Sequence, residues 1–262
     1  MKKLLALSLL LSMSAYAADP VFSDLTKKDV EDVSMEFGGN FAHTAVAAPE
    51  TDGLWGIEIG AVGGQTQSKK FADVIDASGG DGSDFKNLYH AAIMARAHFP
   101  FDLFVEASYL PEQEFSDVKA KSSSFGLGWN FGRFVSLPLD IAIGADFSKG
   151  NVKFHQDADV PNSIPESDIE LETKTTVYWI GISKTFAFFT PYAKVGTSKI
   201  EGDLNATGQI LGYTSATKES VNMSGSFLAV GANIQLFFIK LGVEGSQIQD
   251  AKRVSGKLSF DF

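Results

Sequence analysis

The chain has 262 residues, a formal net charge of −10 at neutral pH and no cysteine. These values exclude a disulfide framework and thiolate metal sites, and they argue against nucleic acid or an anionic membrane surface as partner. Hydrophobic residues make up 44% and mean hydropathy is +0.03, too low for a bundle of membrane helices.

Lys2 and Lys3 precede an apolar stretch from Leu4 to Met13, and Ala15-Tyr16-Ala17 has the small-residue spacing of a cleavage site. This pattern predicts a secretory signal peptide over residues 1–17, too short to span a bilayer. Its loss removes two lysines and no acid, so −10 becomes −12. About 245 residues follow, the size of one β-domain. In them no apolar run reaches the ~18 residues of a spanning helix. A chain of this kind can still cross lipid if every second residue faces the bilayer, because a closed barrel satisfies its backbone polar groups between strands.

Residues 18–53 do not alternate. Val30, Val33, Phe37 and Phe41 fall at helical spacing, Ser23 can cap a start at Asp24, and Gly38-Gly39 should break the helix. The pattern predicts a short amphipathic helix, then a loop from Ala45 to Gly53. Ahead of the first strand, this segment must lie in the periplasm or fold into the lumen. The reading taken is a periplasmic segment that packs at the mouth; a plug is the alternative.

From Leu54 to the last residue the chain alternates. Trp55, Ile57, Ile59 and Ala61 form the first apolar row; Tyr89, Ile93 and Ala97 the next; then Leu103, Val105 and Tyr109; Phe125, Leu127 and Trp129; Ile141, Ile143 and Phe147. Tyr178, Ile180 and Ile182 continue the series, followed by Val195, by Leu228 and Val230, by Leu241 and Val243, and by the terminal run. About ten strands are expected, within a range of 8–12, each near the 9–11 residues that cross a bilayer with tilt. Long polar connections are expected at 64–86, 111–120, 149–172 and 199–220, with a shorter one at 247–252. Short turns are expected near 99–102, 132–138, 185–190 and 236–238. Phenylalanine, 22 residues in all, collects at these turns in Phe99, Phe101, Phe131, Phe134, Phe186, Phe188, Phe189, Phe237 and Phe238. Soluble turns have no reason to collect aromatics, whereas a membrane interface does. Tyr89, Tyr109 and Phe147 are expected to form the opposite girdle.

The alternate row carries charge of both signs: Glu58, Arg96, Glu106, Asp140, Asp146, Lys194, Lys240, Glu244, Lys257 and Asp261. A barrel of about ten strands is narrow, so these charges must be paired or wet. Arg96 with Glu106, and Lys240 or Lys257 with Glu244, are the expected pairs. The row is either a structural salt-bridge core or the lining of a thin pore.

The last nine residues alternate strictly, with Val254, Gly256, Leu258, Phe260 and Phe262 on one face and Ser255, Lys257, Ser259 and Asp261 on the other. A terminal strand with an apolar row and a final Phe resembles the C-terminal assembly signal of bacterial outer-membrane β-barrels. The resemblance implies a Gram-negative outer-membrane location and insertion by the β-barrel assembly machinery. The expected domain plan is a signal peptide (1–17), a periplasmic segment (18–53) and an all-β, antiparallel, up-and-down transmembrane barrel (54–262). Its partners would be outer-membrane lipid and that machinery; a monomer is the default.

Catalytic groups are sparse. His43 is assigned to the periplasmic segment, His98 to the inner rim, His90 to the outer rim, and His155 to a long loop beside Asp157 and Asp159. No nucleophile and second acid share a motif spacing with them. The run Gly79-Gly80-Asp81-Gly82-Ser83-Asp84 lacks the ligand series of a calcium loop. Neither a metal, a cofactor nor an enzymatic activity is expected. The sequence favours a small structural or surface-exposed barrel. A narrow pore for ions or small solutes is the alternative, and a hydrolase comes third.

Overall fold

A computed structural model describes residues 26–50, 55–77, 81–115, 118–132, 138–156, 166–210 and 213–262. The expected signal peptide lies outside them, as do Asp157 and Asp159. Ten strands close into one barrel in which each is antiparallel to both neighbours, in the order β1-β10-β9-β8-β7-β6-β5-β4-β3-β2. They are β1 Gly56–Gln67, β2 Asn87–Phe99, β3 Leu103–Phe115, β4 Val118–Asn130, β5 Asp140–Gln156, β6 Glu166–Ser183, β7 Phe189–Ile210, β8 Tyr213–Leu236, β9 Ile239–Ile248 and β10 Ala251–Asp261. The expected closed antiparallel barrel, its strand count and its meander order are all present.

Closure runs to the last residue. Phe262 N–H donates to Ile57 O at 2.9 Å, and Ile57 N–H donates back at 3.2 Å. The apolar rows face out along every strand: Ile57, Ile93, Leu127, Ile143, Ile180, Val230 and Val243 are all exposed. A belt of exposed apolar side chains around a closed barrel with polar contents is the signature of a protein solvated by lipid. The short-turn end is ringed by Trp55, Phe101, Phe186, Phe188, Phe237 and Phe262, the other end of the belt by Tyr89, Tyr109, Phe125, Phe147 and Tyr178, all exposed. Phe101 and Phe237 hold φ of 69° and 56°. That left-handed backbone normally takes Gly or Asn, so the rings stand there at a cost of about 1 kcal/mol, offset by their place in the interface.

The expected long loops are largely strand. The connection at 111–120 is the top of the β3–β4 hairpin, β5 continues to Gln156, β6 begins at Glu166, and β7 and β8 run 22 and 24 residues. His155 therefore sits on β5, opposite Asp168, not in a loop. The reason is an inversion of phase. In the lower part of β5 the outward side chains Ile143 and Phe147 are apolar and the inward Asp146 and Ser148 polar. Higher up, Lys149 and Lys153 face out while Val152 and Phe154 are buried inside. Polar outward rows that read as loop are strand that has left the bilayer.

The first helix, α1, covers Lys27–Phe41, starting later and ending later than expected. Thr26, not Ser23, caps it: its Oγ1 accepts from Asp29 N–H at 3.3 Å while Thr26 N–H donates to Asp29 Oδ2 at 2.8 Å. Gly38 and Gly39 do not break it, because the barrel wall fixes them. A Cβ on Gly38 would lie 2.6 Å from Ile200 Cγ2, and one on Gly39 2.5 Å from Ala251 Cβ. A second helix, α2 (Lys69–Ala77), fills the expected 64–86 loop and buries Phe71, Ala72, Val74 and Ile75.

Candidate functional site

The segment assigned to the periplasm occupies the lumen. α1 packs inside the upper barrel, where Val30, Val33, Phe37 and Phe41 join Phe71 and Ile75 of α2 and the wall residues Val152, Phe154, Ile169, Leu171, Leu204 and Val221 in one apolar core. Residues 42–50 then descend to the short-turn end, where the Glu50 carboxylate accepts from Thr185 Oγ1 at 2.7 Å. The helical stripe was legible in the sequence; what it packs on was not, because its partners are strand faces that read as polar loops.

The wall is cut to this plug. A Cβ on Gly150 would run into the Phe41 ring, and one on Gly202 would run into Ser34 Oγ. Arg253 donates to the carbonyls of Gly39 at 3.3 Å, Ala42 at 2.7 Å and His43 at 3.4 Å. Arg96 donates to Ala48 O at 3.0 Å and Glu50 O at 2.9 Å. Asn233 accepts from Ala48 N–H and donates to Val46 O, both at 2.8 Å. These bonds supply partners to a buried, extended backbone that has no strand beside it. Val46, a β-branched residue, is held at φ 46°, a strained conformation that persists only where surroundings impose it.

Eight of the ten charges singled out along the inward row, Glu58, Arg96, Glu106, Asp146, Lys194, Lys240, Glu244 and Lys257, are buried, and Asp140 and Asp261 are half-buried. Arg96 Nε lies 3.3 Å from Glu106, the expected pair. The lysines pair otherwise than expected. Lys257 meets Glu58 at 2.6 Å, and Lys240 meets Asp261 at 2.9 Å and Glu58 at 3.9 Å. Glu244 instead accepts from Tyr192 Oη at 2.9 Å and lies 4.0 Å from Arg253. Registry alone leaves the choice open: Ser255 stands opposite Glu244, with Arg253 and Lys257 two residues to either side, and Lys257 is taken by Glu58 across the closing β1–β10 pair. Lys194 lies over the Trp179 and Tyr192 rings, and Trp179 Nε1 donates to Asp146 at 2.9 Å. Asp140 is half-buried at the short-turn end, accepting from Asn130.

Arg253, Asn233, His43 of the plug and His90 of the wall complete the network. His43 is a plug residue, not a periplasmic one: Nδ1 is 2.7 Å from Ser124 Oγ and Nε2 is 3.2 Å from Glu106 Oε2. His90 bridges Asn40 of the plug at 3.2 Å and Ser255 of the wall at 3.1 Å. His98 is buried against Phe104. Arg253 was legible as an inward position of the terminal alternation, but its partners are plug carbonyls that no side-chain pattern announces.

Ser124, His43 and Glu106 have the composition of a nucleophile relay, and Ser124 Oγ is also bonded to Ser108 Oγ at 2.6 Å. Donor atoms of His43, Glu106 and Asp146 lie within 4.8 Å of one another. Arg96 already pairs with Glu106 at 3.3 Å, so a divalent ion there would stand beside a buried cation. The described contacts of these groups tie plug to wall.

The terminal apolar row, Val254, Gly256, Leu258, Phe260 and Phe262, faces outward at the lipid surface, with Phe260 stacked on Phe238 at 6.2 Å.

Solved structures with related strand arrangement include the outer membrane protease OmpT from Escherichia coli, at 12% identity and a TM-score of 0.44, covering 82% of this chain and 100% of that one. The translocator domain of the autotransporter NalP from Neisseria meningitidis is 10% identical with a TM-score of 0.43, covering 80% and 88%. Ail, the attachment invasion locus protein of Yersinia pestis, is 13% identical with a TM-score of 0.37, covering 81% and 100%. No curated protein matches the sequence. The whole length of the chain is accounted for by one family model, matching residues 2–262: it belongs to the family of unknown function DUF6588.

Proposed function

We propose that this chain is a sealed outer-membrane barrel. It anchors the raised β5–β8 wall at the cell surface and provides neither an open conduit nor catalysis. The observation that carries this reading is the fit of residues 26–50 to the lumen: apolar packing above, charged side chains on backbone carbonyls below, and wall glycines where the plug comes closest. A thin wet pore needs a continuous path past the charged row, and the plug backbone is bonded to that row from both sides. Strands β7 and β8, at 22 and 24 residues, are about twice the length that crosses a bilayer, and α1 with α2 gives the projecting sheet a core of its own.

Planar-bilayer recording tests the reading. The purified barrel should show no discrete conductance, and deletion of residues 26–50 should produce one. Stepwise conductance from the intact chain would overturn it. The topology has its own check, because the chain lacks cysteine. Lys27→Cys, at the exposed start of α1, should react with a membrane-impermeant maleimide on intact cells. Labelling only after lysis would place α1 at the other mouth.

A further inference from the structure

The level where the strands leave the bilayer carries an unusual concentration of lysine. Phe125 of β4 pairs with Phe147 of β5, and Phe147 packs edge-on against Tyr178 of β6 at 6.5 Å between ring centres. One outward step higher, Lys149 of β5 stands directly opposite Lys174 of β6, and Lys199 of β7 stands opposite Thr176. All three lysines face outward and are about half exposed. Like charges directly across a strand pair are destabilising, and this chain is otherwise strongly acidic. Lys149 and Lys174 share one carboxylate, Glu172, at 2.8 and 3.2 Å, and Lys199 meets Glu201 at 2.6 Å. Such exposed pairs contribute at most about 1 kcal/mol each, so a stronger anion can take their place.

Rings and lysines border a single outer-surface groove of about 650 Å³, lined by Phe125, Phe147 and Tyr178 below and Lys149, Lys174 and Lys199 above. Its lower edge lies at acyl-chain depth and its upper edge at headgroup depth. We propose that this groove seats one phosphorylated glycolipid of the outer leaflet, with acyl chain on the rings and phosphate among the three ammonium groups. A free phosphate ion would satisfy the lysines but leave the rings without a partner, so the occupant is the lipid. The inference does not depend on whether the lumen conducts.

Native mass spectrometry of the folded barrel in detergent, titrated with lipid A, measures this directly. Wild type should retain one lipid A. At about 1 kcal/mol per lysine, the triple variant Lys149→Gln, Lys174→Gln, Lys199→Gln should bind roughly a hundredfold more weakly, and Lys174→Gln alone about fivefold. Lys119→Gln with Lys153→Gln, on the same wall but higher, should leave binding unchanged, and dephosphorylated lipid A should not be retained. Folding of each variant is read from its unboiled gel mobility. Equal retention by the triple variant, an equal loss in the Lys119/Lys153 control, or displacement of lipid A by equimolar inorganic phosphate would each overturn the proposal.

Discussion

The upper and lower halves of the barrel use the same strands with opposite polarity. Below the aromatic belt, outward residues are apolar and the lumen holds Glu58, Lys257, Arg96 and Glu106 in pairs. Above it, outward residues are Lys149, Lys174 and Glu201, and the interior is Phe71, Phe154, Leu171 and Leu204 around α1. The side-chain period of two is constant; what changes is the solvent outside. Where lipid surrounds the wall, polar groups can only go inward, and each must find a partner there. Where water surrounds it, the wall behaves as a soluble sheet and requires an apolar filling, which α1 and α2 supply. The plug thus meets two different demands along one passage, packing above and hydrogen bonding below.

The difference is broken most severely from below. Lys257→Ala removes the nearer cation of a carboxylate that is 1% exposed and leaves Lys240 at 3.9 Å. Breaking a buried pair costs about 3–5 kcal/mol, so the temperature at which the folded gel band disappears should fall sharply. Glu58→Leu combined with Lys257→Met should recover most of the loss, since a buried pair contributes little over an apolar replacement. If the single variant melts like wild type, the lower lumen is wet and its charges are solvated.

The upper half should yield differently. Phe71 is fully buried in edge contacts with Phe37 at 5.0 Å and Phe85 at 5.5 Å. Phe71→Ala should cost roughly 3 kcal/mol, but α2 belongs to a connection that can open by itself. The expected outcome is faster proteolysis between β1 and β2, with the folded band's melting temperature nearly unchanged. Equal losses in both readouts would mean that the two halves form one cooperative unit.

How far the sequence carried the structure follows the same boundary. Every strand was legible where lipid faces it, because Ile, Leu and Val alternate with Gly, Ser and charge, and the phenylalanine turns marked one end. The inward charges were legible for the same reason, and Arg96 with Glu106 was found as a pair of facing neighbours. Above the belt the inward row, Val152, Phe154, Leu171 and Leu204, is as regular as any below it. The lysines and glutamates between them read as loop, because above the belt the apolar residues change from the outer to the inner face. The plug's interior place was hidden for the same reason: the apolar lining that the stripe of α1 packs on lies between charged outward residues. Val46, Asn233 and the carbonyl contacts of Arg253 had no side-chain pattern to betray them.

The finest distinction lies where the plug meets the outer connection. Glu36 of α1 accepts from Lys70 N–H at 3.0 Å and Phe71 N–H at 2.8 Å, capping the start of α2 from another element. Burial pushes its carboxyl above the usual 4.5, against the two backbone bonds and Lys70, which pull it down. The folded protein therefore holds this proton more tightly than the unfolded chain. The stability so gained is fully present below pH 4.5 and is lost as pH rises through the folded value, so acidification from neutrality should tighten the α1–α2 contact. Amide exchange of α2, corrected for its intrinsic pH dependence, should slow from pH 7 to pH 5. In Glu36→Gln the trend should vanish, because that side chain keeps an acceptor oxygen and cannot titrate. A slope that survives the substitution would assign the pH response to another group, and Glu36 would then be a cap whose charge is immaterial.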